Sequence, residues 1–158
     1  MPLLDPKSEY IQEHWRNRVR PMAAERGLVM NIPPVQTRTR RAHETAAFGR
    51  AHDAFPAVDR ALFRAFFEEG LDINDFDVLA RIARDAGLDD SQLRRALERG
   101  DYAADVERDL ALSARLGIRS VPTMLVADES GRAEPVIGAV PFEDLKAAIE
   151  RAAVERRS

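Results

Sequence analysis

The sequence predicts an α/β protein that is predominantly helical and carries a β-hairpin near its C-terminal end. Apolar residues recur at spacings of three and four from residue 8 to about residue 117, the period of helices packed on a core. The period then changes to two over Thr123–Ala127 and Pro135–Ala139, which predicts two strands joined by a loop at 128–131. Helical spacing returns after Pro141, where a last helix is expected.

Start and stop signals divide the long helical region into six helices. Asp or Asn precedes several of them, as N-caps do, and glycine follows most of them, as left-handed C-terminal residues do. The predicted helices cover residues 8–26 with a kink or break at Pro21, 39–52, Pro56 to Gly70, Asn74 or Asp75 to Gly87, Asp89 or Asp90 to Gly100, and Asp101 to Gly117.

The apolar positions within these elements predict the core. Residues spaced by three and four on one helix lie on one face, and that face is expected to be buried. The predicted core positions are Phe63, Phe66 and Phe67 in the third helix, Phe76, Leu79, Ile82 and Ala83 in the fourth, and Phe142, Leu145, Ile149 and Ala152 in the last. The sixth helix carries the apolar residues Val106, Leu110 and Leu112.

The hairpin needs support, because two strands alone are marginally stable in water. The last helix is expected to cover one face of the hairpin and the helical block another. Only Leu3–Leu4 and Val29–Ile32 are candidates for a third strand.

Composition limits the chemistry of the chain. Its 158 residues suit one domain with a core, and a net charge of −3 favours neither nucleic acid nor an anionic membrane. The absence of cysteine excludes disulfides, thiolate metal sites and thiol catalysis. The N-terminus lacks the pattern of a signal peptide, and no apolar run approaches the roughly 18 residues of a membrane helix, so a cytoplasmic location is expected.

No catalytic, metal or cofactor site is predicted from the polar residues. His14, His43 and His52 have no metal-ligand spacing, and His43 is expected to make a hydrogen bond between helices. Glu68, Glu69 and Asp72 are acidic neighbours, but solvated faces and caps account for them better than an acid–base pair.

Three stretches together resemble the DsbA family of thiol–disulfide oxidoreductases, and most closely its FrnE-type branch. They are Thr39–His43 (TRRAH), Ala61–Ile73 (ALFRAFFEEGLDI), and Gly117–Thr123 (GIRSVPT) followed by Ile137–Pro141 (IGAVP). The resemblance extends from about residue 3 to residue 154. It implies an incomplete thioredoxin-like fold, in which residues 1–158 form one domain, 36–117 are a helical insertion, and 118–154 form the hairpin and C-terminal helix.

The resemblance also implies a binding site at the proline loop. Family members have a cis peptide bond at the position of Val121–Pro122, and the backbone of the residue before the proline pairs with an extended substrate. Ser120, Val121, Pro122 and Thr123 are therefore the candidate peptide-binding residues, and the alternative is a turn that serves only the fold.

The Cys-x-x-Cys unit of the family has no counterpart in this sequence, and Met1–Pro6 is similar to the segment that follows that unit. Disulfide exchange requires a thiolate, so intrinsic exchange is not expected. Two alternatives are a non-enzymatic binding or scaffold protein, and a relative of the glutathione-dependent 2-hydroxychromene-2-carboxylate isomerases. The serine of those isomerases belongs to the same absent unit, so Ser8, Ser91 and Ser113 do not inherit its role.

The absent unit leads to an expectation about assembly. Without it, a sheet edge and an apolar helix face are left uncovered, and both features favour association. We therefore expect a homodimer that buries either the hairpin region or the block formed by Phe63, Phe66 and Phe67.

Overall fold

A computed structural model describes residues 9–33 and 38–154 of the chain. The predictions for Leu3–Leu4 and Ser8 lie outside these ranges. The chain divides into two compact units, Met1–Asp109 and Leu110–Ser158, and the division falls within one helix. The boundary predicted at residue 117 lies in the loop after that same helix.

The first unit is helical and the second combines two strands with a helix. The elements are α1 Glu9–His14, a π-helical turn Trp15–Val19, α2 Arg20–Ala24, α3 Arg40–Ala51, α4 Phe55–Phe67, α5 Phe76–Asp85, α6 Asp90–Arg99, α7 Ala103–Arg115, β1 Thr123–Ala127, β2 Ala133–Ile137 and α8 Phe142–Val154. No helix in the described ranges has the length and apolar composition that a membrane span requires.

Carboxylate caps fix the starts of α5 and α6. Asp75 accepts hydrogen bonds from the N–H groups of Asp77 at 2.7 Å and Val78 at 3.3 Å. Asp89 does the same for the N–H groups at the start of α6. These bonds satisfy backbone donors that have no partner inside the helix, so the capping prediction is confirmed at both positions.

Pro21 does not break the first helical run. The run continues from α1 through the π-helical turn into α2, and Pro21 is the second residue of α2. A proline ring clashes with the carbonyl four residues before it in a regular α-helix. The wider π-helical turn, which directly precedes α2, locally changes that hydrogen-bonding register.

An extended segment, residues 28–33, follows this run and belongs to no strand. The Trp15 indole Nε1–H donates to the carbonyl of Met30 at 3.2 Å. Asn31 donates its backbone N–H to the carbonyl of Phe67 at 2.8 Å and its side-chain amide to that of Glu68 at 3.1 Å. Val29–Ile32, a candidate for a third strand, is therefore extended but pairs with no strand, because this backbone bonds to the end of α4.

The core of the first unit lies between α3, α4, α5 and α6. Phe48, Val58, Leu79 and Leu93 are almost fully buried at its centre. The predicted inward positions of α5 are confirmed for Leu79, Ile82 and Ala83, which are buried, and Phe76 is partly buried against the same core. The prediction for Phe63 is wrong: its side chain is 60% exposed, because the buried face of α4 is formed by Val58, Leu62 and Ala65.

In the second unit, β1 and β2 form an antiparallel sheet, the one sheet in the described residues. The register pairs Thr123 with Ile137 and Leu125 with Pro135. The predicted span of β1 is confirmed, whereas β2 begins two residues earlier than predicted. Pro135 is tolerated inside β2 because the nitrogen of a non-hydrogen-bonded residue points away from the partner strand.

Helix α8 packs on one face of this sheet. Arg151 forms an ion pair with Glu134 of β2 at 2.7 Å, and Ala148 is buried at 1% exposure. Phe142 and Ile149 were predicted to face inward, but they are 62% and 52% exposed, so that assignment is wrong. Two strands offer too narrow a surface to bury a wide apolar stripe. Leu110 and Leu112 of α7 are likewise exposed.

Candidate peptide-binding loop

The loop between α7 and β1 carries three of the four predicted site residues, and the fourth, Thr123, is the first residue of β1. Helix α7 ends in a Schellman arrangement: the N–H of Gly117 bonds to the carbonyl of Ala114 at 3.1 Å, and that of Ile118 to Ser113 at 3.0 Å. Gly117 has φ +67°, a conformation that glycine adopts without steric cost. This ending turns the chain out of the helix and directly into the loop.

Two hydrogen bonds hold the loop in shape. The Thr123 hydroxyl Oγ1 donates to the carbonyl of Ser120 at 2.7 Å. The N–H of Gly138 donates to the carbonyl of Pro122 at 2.8 Å, which extends the β1–β2 pairing by one position. The Val121–Pro122 peptide bond is cis. One hydrogen bond therefore joins Thr123 to Ser120 within this segment, and the other joins Pro122 to Gly138, the residue after β2.

Val121 lies between these two hydrogen-bonded positions and is the most exposed large apolar residue in the described part of the chain. Its relative exposure is 91%. Neither its N–H nor its carbonyl has a hydrogen-bond partner among the described residues. A free donor and acceptor on one exposed residue are the groups that pair with an extended backbone in β-strand addition.

The open edge of β1 continues from this residue. Because the Pro122 carbonyl bonds toward the residue after β2, the alternation of an antiparallel pair directs the N–H and C=O groups of Thr123 and Leu125 to the opposite edge. That edge of β1 has no neighbouring strand in residues 9–33 or 38–154. Backbone pairing groups are therefore available both at Val121 and along β1.

The site residues 120–123 carry no ionisable side chain. Among the described residues, the carboxyl groups with lowered pKa values lie in the first unit. The hydroxyl of Ser91 and the N–H of Gln92 lower the pKa of Asp89, and Arg99 lowers that of Asp101. Caps and ion pairs explain both shifts, so they do not mark an acid–base site. No group of three metal-ligating side chains occurs among the described residues.

The three histidines do not come together. His14 stacks on Tyr10 with ring centroids 6.3 Å apart, and His43 is exposed on α3. The interhelical hydrogen bond predicted for His43 is made by His52 instead. Its Nδ1 is 2.8 Å from the carbonyl of Phe48, and its Nε2 is 3.3 Å from the side-chain amide of Gln92 on α6.

Sequence reasoning missed an apolar groove in the first unit. It has a volume of about 550 Å³ and lies between the extended segment 28–30, α4 and the end of α5. Three exposed apolar side chains line it, those of Leu28, Val29 and Phe63, and Arg60 and Arg64 lie beside them. Residues from separate segments meet here, so no local pattern indicates the groove.

The helical block and the hairpin with its proline loop define a protein of the thioredoxin-like class. A family model for the DSBA-like thioredoxin domain matches residues 3–150. The chain therefore belongs to the DsbA-like thioredoxin family, as the sequence motifs indicated.

The chain is similar to two known proteins over most of its own length. It is 32% identical over 131 residues to the uncharacterized protein YwbO of Bacillus subtilis strain 168, an alignment that covers 80% of this chain and 64% of YwbO. The crystal structure of a probable DsbA oxidoreductase from Streptomyces coelicolor matches with a TM-score of 0.83 and 26% identity, covering 94% of this chain and 63% of that one. The chain thus spans less than two thirds of the length of either relative.

Proposed function

We propose that this chain binds extended, unfolded polypeptide at the loop Ser120–Thr123, without carrying out disulfide exchange by itself. The observation that carries the proposal is Val121, whose backbone groups have no hydrogen-bond partner in the described ranges and whose exposure is 91%. Within the DsbA-like family we assign the chain to the FrnE-type branch, on the sequence of Ala61–Ile73.

Binding at this loop would follow the chemistry of strand addition. The Val121 N–H would donate to a substrate carbonyl, and the Val121 carbonyl would accept from a substrate N–H. Two such bonds contribute roughly 1–3 kcal/mol in water, so affinity from this contact alone is modest. Recognition through the main chain favours any accessible extended segment over a particular sequence.

The chemistry of exchange supports the second half of the proposal. Disulfide exchange begins when a thiolate attacks a sulfur atom of the disulfide. The 158 residues contain no thiol that could attack or receive the mixed disulfide. We therefore propose a binding role for this polypeptide, with any sulfur chemistry supplied by another thiol.

The serines give no support to an isomerase. Ser91 donates its hydroxyl to Asp89 at 2.6 Å as part of the α6 cap, and the carbonyl of Ser113 helps to end α7. Both residues have structural roles at helix ends. We accordingly do not propose glutathione-dependent isomerisation.

Fluorescence anisotropy with reduced, carboxymethylated ribonuclease A tests the binding role, and native ribonuclease A is the folded control. Thr123→Val removes the hydroxyl that bonds to Ser120, and Thr123→Ser keeps it. That hydrogen bond contributes about 1 kcal/mol to the order of the loop, so we expect Thr123→Val to bind the unfolded probe roughly fivefold more weakly. We expect Thr123→Ser to bind like the wild type.

Two results would count against the proposal. One is the absence of saturable binding to the unfolded probe. The other is equal binding of unfolded and native ribonuclease A, since the native protein presents few free extended segments. Either result would leave the loop with a role in the fold alone.

A further inference from the structure

The solvent side of α4 is an apolar surface with charges at defined positions. Helix α4 buries Val58, Leu62 and Ala65, and its other side presents the residues that we call the α4 ridge. These are the exposed residues Ala57, Arg60, Phe63 and Arg64 and the partly buried residues Ala61 and Phe67, with Glu68 directly after the helix. Phe63 stacks on Phe67 with ring centroids 6.1 Å apart and is 60% exposed.

The apolar area extends beyond the helix. Leu28 and Val29, 54% and 57% exposed, line the groove beside the ridge. Large exposed apolar side chains that are contiguous mark interaction sites more often than isolated ones do. The α4 ridge and this groove therefore form one candidate docking surface within the first unit.

The charges on the ridge do not neutralise one another within the chain. Arg60 and Glu68 have no ion-pair partner in the described residues. They lie eight positions apart, which is about 12 Å along a helix and too far for a direct pair. Arg64, between them, is already paired with Glu69 at 3.4 Å.

We propose that the α4 ridge binds a second copy of this chain through antiparallel packing of the two α4 helices. A two-fold axis beside Arg64 pairs a residue of one copy with a residue of the other copy. The two paired positions lie equally far from Arg64 in sequence, one before it and one after it. Arg60, four residues before Arg64, then meets Glu68 of the other copy, four residues after it. The two-fold symmetry makes this contact twice.

The apolar residues fit the same arrangement. Ala61, three residues before Arg64, lies opposite Phe67 of the other copy, three residues after Arg64. The small alanine leaves room for the aromatic ring, and the pair also forms twice. Arg64 meets its own copy at the axis, but its ion pair with Glu69 offsets the repulsion. Charge and size are therefore complementary in one and the same register, which favours a second copy over an unrelated ligand.

Charge reversal with rescue tests the register directly. Sedimentation equilibrium over a concentration series would be measured for the wild type, R60E, E68R and the double variant R60E/E68R. Each single reversal places like charges opposite each other at two symmetry-related sites, so we expect roughly a tenfold or greater weakening of the dimer. The double variant restores opposite charges, and we expect dimer affinity close to that of the wild type.

Arg16→Glu serves as the matched control, because Arg16 is an exposed arginine of the same unit that does not line the groove. It changes net charge as R60E does and should leave the dimer unchanged. Far-UV circular dichroism and melting of each variant verify folding. A wild-type chain that stays monomeric throughout the series would overturn the proposal and leave the groove to another class of ligand. A double variant no better than the single variants would overturn the register.

Discussion

The contact between α3 and α4 provides a quantitative test of the packing. A Cβ atom added at Gly49 would lie 2.9 Å from Val58 Cγ2 and 3.0 Å from Val58 Cβ, closer than such contacts allow. Val58 is fully buried and has no space into which to retreat. Gly49→Ala gains about 1 kcal/mol of helix propensity, but overpacking costs roughly 1–3 kcal/mol. We expect a net loss of stability of about 1 kcal/mol.

Val58→Ala supplies the second arm of a double-mutant cycle. Alone it should cost roughly 2 kcal/mol, because two buried methyl groups are lost and a small cavity remains. In that background the methyl group at position 49 fills part of the space, although the Cβ atoms still have to shift by a few tenths of an ångström. Gly49→Ala should then be close to neutral, with a coupling of about 1 kcal/mol.

Urea unfolding followed by circular dichroism measures all four proteins. With a slope of about 1–3 kcal/mol per molar, a loss of 1 kcal/mol moves the midpoint by roughly 0.3–1 M. If Gly49→Ala raised the midpoint in the wild type, helix propensity would outweigh the contact. The close approach of α3 and α4 would then be refuted.

Three further predictions concern the caps and the chemistry. Asp75→Ala should destabilise the chain by about 0.5–2 kcal/mol in urea unfolding, whereas Asp75→Asn, which can still accept the N–H bonds, should cost less. The pKa of Asp89 is lowered in the folded state, so its contribution to stability is present above the unfolded pKa and is lost as pH falls through the folded pKa. The stability difference between the wild type and Asp89→Asn should therefore shrink on acidification in urea titrations at successive pH values, and a constant difference would argue against it. In an insulin-reduction assay with dithiothreitol, the pure chain should give the rate of the reagent alone, and clear acceleration would contradict the binding-only role.

Local signals predicted the element order well. Asp75, Asp89 and the glycines at 87, 100 and 117 act through their own backbone neighbourhoods, so the sequence alone identifies the helix ends. The change of the apolar period from 3.6 to 2 likewise located β1. The loop at Val121 was predicted from the family motif, because periodicity shows where a strand starts but not that a backbone group stays unpaired.

Features that depend on several segments were not predictable in this way. Phe63, Phe142 and Ile149 have apolar spacing like that of buried residues, yet they are exposed. Spacing identifies an apolar stripe, but burial requires an opposing surface wide enough to cover it. The groove beside Phe63 exists only because residues 28–30 are bonded to the end of α4, a contact that no local pattern records.

The backbone amide of Val121 offers the most direct test of the account. In a ¹H–¹⁵N correlation spectrum of the full chain, titration with reduced, carboxymethylated ribonuclease A should shift the Val121 amide in a saturable manner, with smaller shifts at Ser120 and Thr123. The signal of the backbone amide of Arg132, an exposed residue of the β1–β2 loop whose N–H already donates to the Asp128 carboxylate at 3.0 Å, should not move. A Val121 signal that stays fixed while the probe binds elsewhere would contradict the assignment of this loop as the polypeptide-binding site.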